Sequence, residues 1–172
     1  MVALNGVGFY TVTNRRLGTV DIDVTKYWKD GSSENAMSEK RRELQDALDI
    51  AGYDLVLYLQ CSSTEAKIDY INGTVSFGHD VLQIQDADEN NTGAIQVIDL
   101  NGTSGDINKA LYQFYNLPKY DMNGRLVTYT VTEMARLKNS AGNEKVVPVK
   151  EALGDDAYAS LEYSFSGGPT TS

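Results

Sequence analysis

Apolar and polar residues alternate with a period of two through most of the chain, in segments rich in Val, Thr, Tyr and Ile. This pattern is typical of β-strands that bury one face. Asn-Gly pairs that begin at Asn72, Asn101 and Asn123 mark turns between such segments. The predicted strands are Gly8–Thr13, Thr19–Tyr27, Asp54–Gln60, Thr74–Phe77, Val81–Gln85, Gly93–Asp99, Leu111–Asn116, Leu126–Glu133, Glu144–Pro148 and Ala159–Phe165. The pattern therefore predicts an all-β protein.

One segment follows a helical period instead. Between Ser38 and Ala51, the apolar residues recur at the spacing i, i+3, i+4 and i+7, which places them on one helix face. They are Leu44, Ala47, Leu48 and Ala51. Ser38 can cap the start of this helix, and Gly52 can end it. We expect one short amphipathic helix packed on a β-sandwich.

Lys26 falls on the apolar face of its predicted strand, because it shares a side with Ile22, Val24 and Trp28. A lysine in such a strand is ordinarily a solvent-facing residue, but the phase of the alternation favours burial here. A buried lysine is costly unless it is paired or neutral, and removal from water favours the uncharged amine, which is a nucleophile. Lys26 is therefore a candidate for amine chemistry.

Glu133 ends a similar apolar series, which contains Val127, Tyr129 and Val131 on one strand face. Burial favours the protonated form of a carboxyl group. A neutral amine beside a protonated carboxylic acid can attack an amide, because the acid polarises the carbonyl group and relays protons while ammonia leaves. We expect Lys26 and Glu133 to face each other across the core within hydrogen-bonding distance.

Composition narrows the classes of function. A chain of 172 residues with 41% hydrophobic content can bury one sizeable core. A net charge of −9 argues against a nucleic acid or an anionic membrane as partner, and no apolar stretch is long enough for membrane insertion. Cys61 is the single cysteine and His79 the single histidine, so we expect no internal disulfide, no metal site, no cofactor and no conventional hydrolase.

Several strings resemble the collagen-adhesin B-type (CnaB) repeat, from about Gly18 to Phe165. They are Val24–Asp30, Phe114–Asp121, the Asn-Gly pair at Asn123, and Tyr129–Glu133. The resemblance implies a reverse immunoglobulin-like β-sandwich, as found in the stalks and pilus shafts of Gram-positive surface proteins. Members of the family join a first-strand lysine to a last-strand asparagine through an isopeptide bond, assisted by an acid on a middle strand. At the matching positions, Lys26 is the isopeptide amine and Glu133 is the proton-shuttling acid.

The acceptor asparagine does not follow the family pattern, because no asparagine occurs after Asn143. A string like the expected one, Phe9–Asn14, stands before Lys26 instead, so Asn14 is the candidate acceptor. Asn139 and Asn143 are less favoured, because they lie in a predicted turn. Either residues 1–17 are the last-strand-like segment of a preceding repeat, donated to another domain, or Asn14 returns to its own domain. We favour the first arrangement.

The expected organisation is thus a donated segment at residues 1–17, a CnaB-like sandwich at 18–166 and a linker at 167–172. The resemblance implies a structural module of an extracellular, cell-wall-attached adhesin or pilus, with tandem repeats and with signal and anchor outside this segment. Its partners would be neighbouring repeats or copies of itself, joined head to tail. The alternative is a ligand-binding adhesin module that recognises a host protein or glycan through tyrosine-containing loops. In neither case is the chain an enzyme, beyond one self-cross-linking turnover.

Overall fold

The computed structural model describes residues 18–28, 38–63, 65–77, 80–84, 93–100, 109–161 and 170–171. The strands are β1 (Thr19–Tyr27), β2 (Tyr53–Cys61), β3 (Ala66–Asp69), β4 (Thr74–Phe77), β5 (Asp80–Gln83), β6 (Ile95–Val97), β7 (Lys109–Pro118), β8 (Tyr129–Leu137), β9 (Val146–Val147) and β10 (Thr170–Thr171). The helices are α1 (Glu39–Ala51), α2 (Val149–Leu153) and α3 (Asp155–Leu161). None of the helices in these ranges is long and apolar enough to cross a membrane.

The described strands form three sheets. β1 pairs with β7, and a second sheet has the order β10-β8-β2-β6 with β9 also paired to β8. All of these pairs are antiparallel. The remaining strands, β3, β4 and β5, form an antiparallel meander. The prediction of an all-β, immunoglobulin-like sandwich is confirmed.

The core lies between the sheet of β1 and β7 and the sheet that contains β8, and it includes residues that the period-two pattern placed inside. Every second residue of β8 is buried from Tyr129 to Ala135, as the alternation predicts. Apolar residues of the other strands are also buried, and Trp28 packs against the core while partly exposed. The buried residues include Val24, Leu57, Leu59, Phe114, Val127 and Val131. Each large apolar side chain buried in this way contributes roughly 1.5–3 kcal/mol to folding.

Helix α1 begins and ends as the sequence predicts. The Ser38 hydroxyl accepts a hydrogen bond from the Arg41 N–H at 3.1 Å, and Gly52 ends the helix with a φ of 83°, in the left-handed region that favours glycine. Leu44 and Leu48 are buried. The face that α1 turns to the protein also contains Arg41, which the prediction did not include.

A turn fixes the position at which β8 begins. The Asp121 carboxylate accepts hydrogen bonds from the backbone N–H groups of Asn123 at 2.8 Å and Arg125 at 2.9 Å. The Tyr129 hydroxyl then donates to the Pro118 carbonyl oxygen at 2.6 Å, inside the core. These bonds hold the ends of β7 and β8 together and so determine which residues of β8 face β1.

The prediction of one helix was incomplete, since α2 and α3 follow β9. The predicted strand Ala159–Phe165 is wrong where the structure describes it, because residues 159–161 are the last turn of α3. Two acidic residues in the first turn, Asp155 and Asp156, favour the helix by interacting with its positive N-terminal end. Strand β3, which is four residues long, was not among the predicted strands.

Some predictions concern the N-terminal and C-terminal segments. Within the predicted linker 167–172, residues Thr170–Thr171 pair with Thr130 and Tyr129 of β8, so these two residues belong to a sheet. The predicted donated segment 1–17, His79 and the turn at Asn101 lie outside the described residues.

Candidate functional site

Strand β1 turns Lys26 into the core. Its inward face consists of Ile22, Val24 and Lys26, all buried, and the residue is only 9% exposed. On the neighbouring strand β7, the residue opposite Lys26 is Ala110. The alternation of β1 therefore places an amine among apolar side chains, where a charge is costly unless a partner compensates it.

Strand β8 brings a carboxyl group to the same region from the other sheet. Glu133 is in the middle of β8, and its direct neighbour on β2 is Leu57, a core residue. Side chains that are directly opposite in an antiparallel pair lie on the same face. The Glu133 side chain is accordingly 0% exposed to solvent.

The two groups meet across the sandwich, although 107 residues separate them in the sequence. The distance from Lys26 Nζ to Glu133 Oε2 is 2.8 Å. This is the length of a charge-assisted hydrogen bond, along which a proton can pass from amine to carboxylate. The structure thus brings together the amine and the acid that the sequence selected; their roles in a reaction stay predictions.

Trp28 and Arg41 also lie near this pair. The Nζ atom of Lys26 lies 4.2 Å from the centre of the Trp28 ring, and the guanidinium carbon of Arg41 lies 4.8 Å from the centre of the same ring. Both are cation–π distances. Arg41 is 2% exposed. Helix α1 therefore contributes a buried cation to the site.

Tyr112 stands beside the pair on β7, directly opposite Val24. Burial raises the pKa of the Tyr112 hydroxyl. The backbone N–H of Asp99 donates to this hydroxyl at 3.2 Å and lowers the pKa, whereas the negative charges of Asp99 and Glu133 raise it further. The Tyr112 hydroxyl therefore stays protonated around neutral pH.

Arg41 and Tyr112 were not predicted as parts of the site. Arg41 stands in a charged run that looks like a solvated helix face. However, it precedes Leu44 by three residues and Leu48 by seven, so it lies on the same face as these two buried leucines. That spacing was the signal that could have found it. Tyr112 carried a similar signal, because it is two residues before the core residue Phe114.

The structure does not bring Asn139 or Asn143 to this pair. Asn139, with a φ of 61°, lies in the turn after β8, and the strand from Glu133 to Leu137 alone spans about 13 Å. The Asn143 carboxamide donates to the Tyr58 hydroxyl at 3.0 Å. Tyr58 points away from the core face of β2, because its neighbours Leu57 and Leu59 point toward the core. Asn14 lies outside the described residues.

Two other candidate chemistries find little support in the described part of the chain. There, no cluster of three or more His, Cys, Asp or Glu side chains could hold a metal ion. Cys61 is half-buried at the end of β2, and its thiol donates to the Ala66 carbonyl oxygen at 3.2 Å. Burial raises the pKa of this thiol, and the backbone at Ser63 counteracts only part of the rise.

We expect Cys61 to react slowly in the folded protein, because the thiolate is the reactive form and a raised pKa makes it scarce. At about pH 8, alkylation by iodoacetamide should be at least about tenfold slower in the folded chain than in the same chain unfolded in urea. Mass spectrometry of the Cys61 peptide measures both rates, and Cys61→Ser controls for side reactions. Equal rates would contradict the buried position of the thiol.

Comparison with known proteins supports the assignment that the strings suggested. Residues 83–153 match the family model of the Cna protein B-type domain. The match is narrower than the resemblance from Gly18 to Phe165; it includes β8 with Glu133 and excludes β1 with Lys26. Neither a curated protein nor a solved structure was found to match the chain. Together with the immunoglobulin-like sandwich, the match at residues 83–153 supports a Cna protein B-type domain in this chain.

Proposed function

We propose that this chain is a stalk or shaft module of a Gram-positive cell-surface adhesin or pilus, stabilised by a self-formed isopeptide bond from Lys26. The observation that carries the proposal is the buried contact between Lys26 Nζ and Glu133 Oε2 at 2.8 Å. A buried ion pair is weak evidence for stability alone, since apolar residues of similar volume often stabilise a core as well or better. A reactive role accounts for its presence in the core.

Domains of this family are typical of extracellular surface proteins and are structural modules, not enzymes. Cell-wall attachment of the parent protein is part of our proposal. The single cysteine cannot form a disulfide within the chain. An amide cross-link would provide the covalent constraint that disulfides provide in many other secreted domains.

The proposed reaction needs no cofactor. Proton transfer from Lys26 to Glu133 gives a neutral amine and a carboxylic acid, which the 2.8 Å contact permits. The amine nitrogen then attacks the carboxamide carbon of an asparagine, while the acid polarises the carbonyl oxygen. A C–N bond forms, the C–NH₂ bond breaks, and the leaving NH₂ group takes up two of the three lysine protons, one of them relayed through Glu133, and departs as ammonium. Glu133 returns to its initial state, and one amide replaces one amine and one carboxamide.

Asn14 is the acceptor that we propose. The Asn143 carboxamide bonds to Tyr58 on the outer face of β2, and Asn139 lies beyond the end of β8. The segment Gly8–Asn14 has the alternation of a strand and a sequence like the family's last strand. Such a strand can pair with the sheet edge of another copy or of a neighbouring repeat. Repeated head to tail, this contact produces a linear array.

The covalent bond would determine the mechanical behaviour of the array. It would tie the first strand of one module to a strand of its neighbour, so that tension along the fibre would act on a covalent bond and not on strand pairing alone. It would also keep the sandwich closed against proteases, which cleave opened segments. A module with these properties suits a stalk that holds a binding head away from the cell surface.

The mass of the purified chain tests the proposal. We expect the intact mass, per chain, to fall by one ammonia for every bond formed. Lys26→Ala and Glu133→Ala should each restore the mass that the sequence predicts, because one lacks the nucleophile and the other lacks the proton relay. Lys138→Ala, which removes an exposed ion pair with Asp49, is the matched control and should leave the loss unchanged. A purified chain that retains every ammonia in the presence of copies carrying Asn14 would refute the proposed function.

A further inference from the structure

Arg41 is almost completely buried, although it lies near the solvent-facing end of helix α1. It is the third residue of α1, close to solvent at the helix end, yet it is 2% exposed. Its neighbour Arg42, on the next helix position, is exposed. Arginine stays charged in proteins, so its burial is costly unless other groups compensate the charge. The Trp28 ring, 4.8 Å from the guanidinium carbon, is one such group.

The same ring also contacts the amine of Lys26. Trp28 follows Lys26 by two residues and shares its strand face, so the indole lies beside the lysine side chain. The Nζ atom is 4.2 Å from the ring centre, on the electron-rich system that attracts cations. One aromatic ring thus contacts two cationic side chains, one from β1 and one from α1.

These contacts restrict where the amine can lie. A free lysine side chain has four rotatable bonds and loses considerable entropy when it is held in one conformation. Here the Glu133 carboxylate holds Nζ at 2.8 Å and the Trp28 ring holds it at 4.2 Å. The guanidinium carbon of Arg41 lies 4.8 Å from the centre of that ring. Such preorganisation raises reaction rates, because the reacting atoms spend more time in the productive geometry.

We propose that Trp28 and Arg41 are positioning residues, in which the indole ring holds the Lys26 amine against Glu133 and the guanidinium of Arg41 holds the ring. The inference rests on the proposed function, because Lys26 is positioned for attack on a carboxamide. It adds a role for helix α1, which lies between β1 and β2 in the sequence. In this role α1 supplies Arg41, whose side chain holds the Trp28 ring beside Lys26. Neither residue touches the reacting carbonyl in this scheme.

The test compares Arg41→Met and Trp28→Leu with the control Arg42→Met, which alters the adjacent exposed arginine. The intact mass first shows whether Lys26 has reacted. In chains where it is free, a water-soluble acylating reagent measures its accessibility, with the exposed Lys67 as internal reference. Loss of one cation–π contact corresponds to a factor of about ten, so we expect Lys26 acylation relative to Lys67 to rise about tenfold in both variants. Arg42→Met should match the wild type.

Where Lys26 proves reactive, the readout is the rate of ammonia loss after mixing a chain that keeps Lys26 but carries Asn14→Ala with a chain that keeps Asn14 but carries Lys26→Ala, and the substitutions at positions 28, 41 and 42 are placed in the chain that keeps Lys26. This rate should fall about tenfold in Arg41→Met and Trp28→Leu, and it should not change in Arg42→Met. Trp28 is the single tryptophan, so a shifted fluorescence emission in Arg41→Met reports directly that the ring has moved. Arg41→Lys keeps a cation without the planar guanidinium and should lie between the wild type and Arg41→Met.

The outcomes separate this inference from the proposed function. Unchanged Lys26 acylation, or an unchanged rate of ammonia loss, in folded Arg41→Met and Trp28→Leu would overturn the positioning role. If Arg41→Met does not fold, Arg41→Lys and Trp28→Phe decide the question, since wild-type rates in both would also overturn it. Absence of ammonia loss in every chain would refute the cross-link, whereas a tenfold rise in Lys26 acylation would still support the positioning contacts.

Discussion

Replacement of Glu133 by alanine is expected to lower the free energy of unfolding by about 3–5 kcal/mol, the range for loss of one partner from a buried ion pair. The reason is the environment of Lys26, which is 9% exposed and has the Glu133 carboxylate at 2.8 Å. Without the carboxylate, the amine must lose its proton or draw water into the core. Urea denaturation in an Asn14→Ala background measures the change without any contribution from the proposed cross-link.

Two comparisons make this prediction specific. The double variant Lys26→Met with Glu133→Leu should be much more stable than Glu133→Ala alone and close to its parent, because apolar residues can replace a buried ion pair at little cost. Lys138→Met removes the ion pair between Lys138 Nζ and Asp49 Oδ1, which is also short at 2.7 Å but is exposed. That variant should lose at most about 1 kcal/mol. Equal losses in Glu133→Ala and Lys138→Met would mean that Lys26 is solvated in the folded protein.

The meeting of Lys26 and Glu133 could be predicted from the sequence because the period of a strand is two. In β1 and in β8, one charged residue, Lys26 or Glu133, lies on the same strand face as a series of apolar residues. A β-sandwich buries that face of both strands. The pattern alone did not determine that the two side chains would lie at the same height in the core. That result depends on the register of β8 with β2 and on the turn at Asp121.

Other parts of the site were missed because the buried face of the helix was defined by its apolar residues alone. Arg41 shares a helix face with Leu44 and Leu48, yet a charged side chain is buried only if partners exist elsewhere in the fold. Its partner ring, Trp28, belongs to a different element. The helix α3 shows the same limit: residues 159–161 fit a strand pattern locally, but the preceding acidic residues and the packing of the region select a helix.

If Asn14 is the acceptor, the chain should form covalent multimers. If each chain donates the strand Gly8–Asn14 to the next, denaturing electrophoresis should show a ladder, because every Lys26 can react with the Asn14 of a neighbour. Asn14→Ala and Lys26→Ala should each abolish the ladder, for lack of acceptor or nucleophile. Asn143→Ala is the matched control and should retain the ladder, since the Asn143 carboxamide donates a hydrogen bond to Tyr58 on the outer face of β2.

Mixing the two inactive variants then distinguishes bonds between chains from bonds within one chain. The Asn14→Ala chain keeps its lysine, and the Lys26→Ala chain keeps its asparagine. If donation is intermolecular, the mixture should give covalent dimers and nothing larger. In such a dimer the only Lys26 has reacted with the only Asn14, so no group remains that could bind a third chain. Adding Glu133→Ala to the chain that keeps Lys26 should prevent the dimer, since the proton relay must lie beside the attacking amine. A mixture that stays monomeric, beside a wild type that has lost ammonia as a monomer, would show that Lys26 reacts within its own chain.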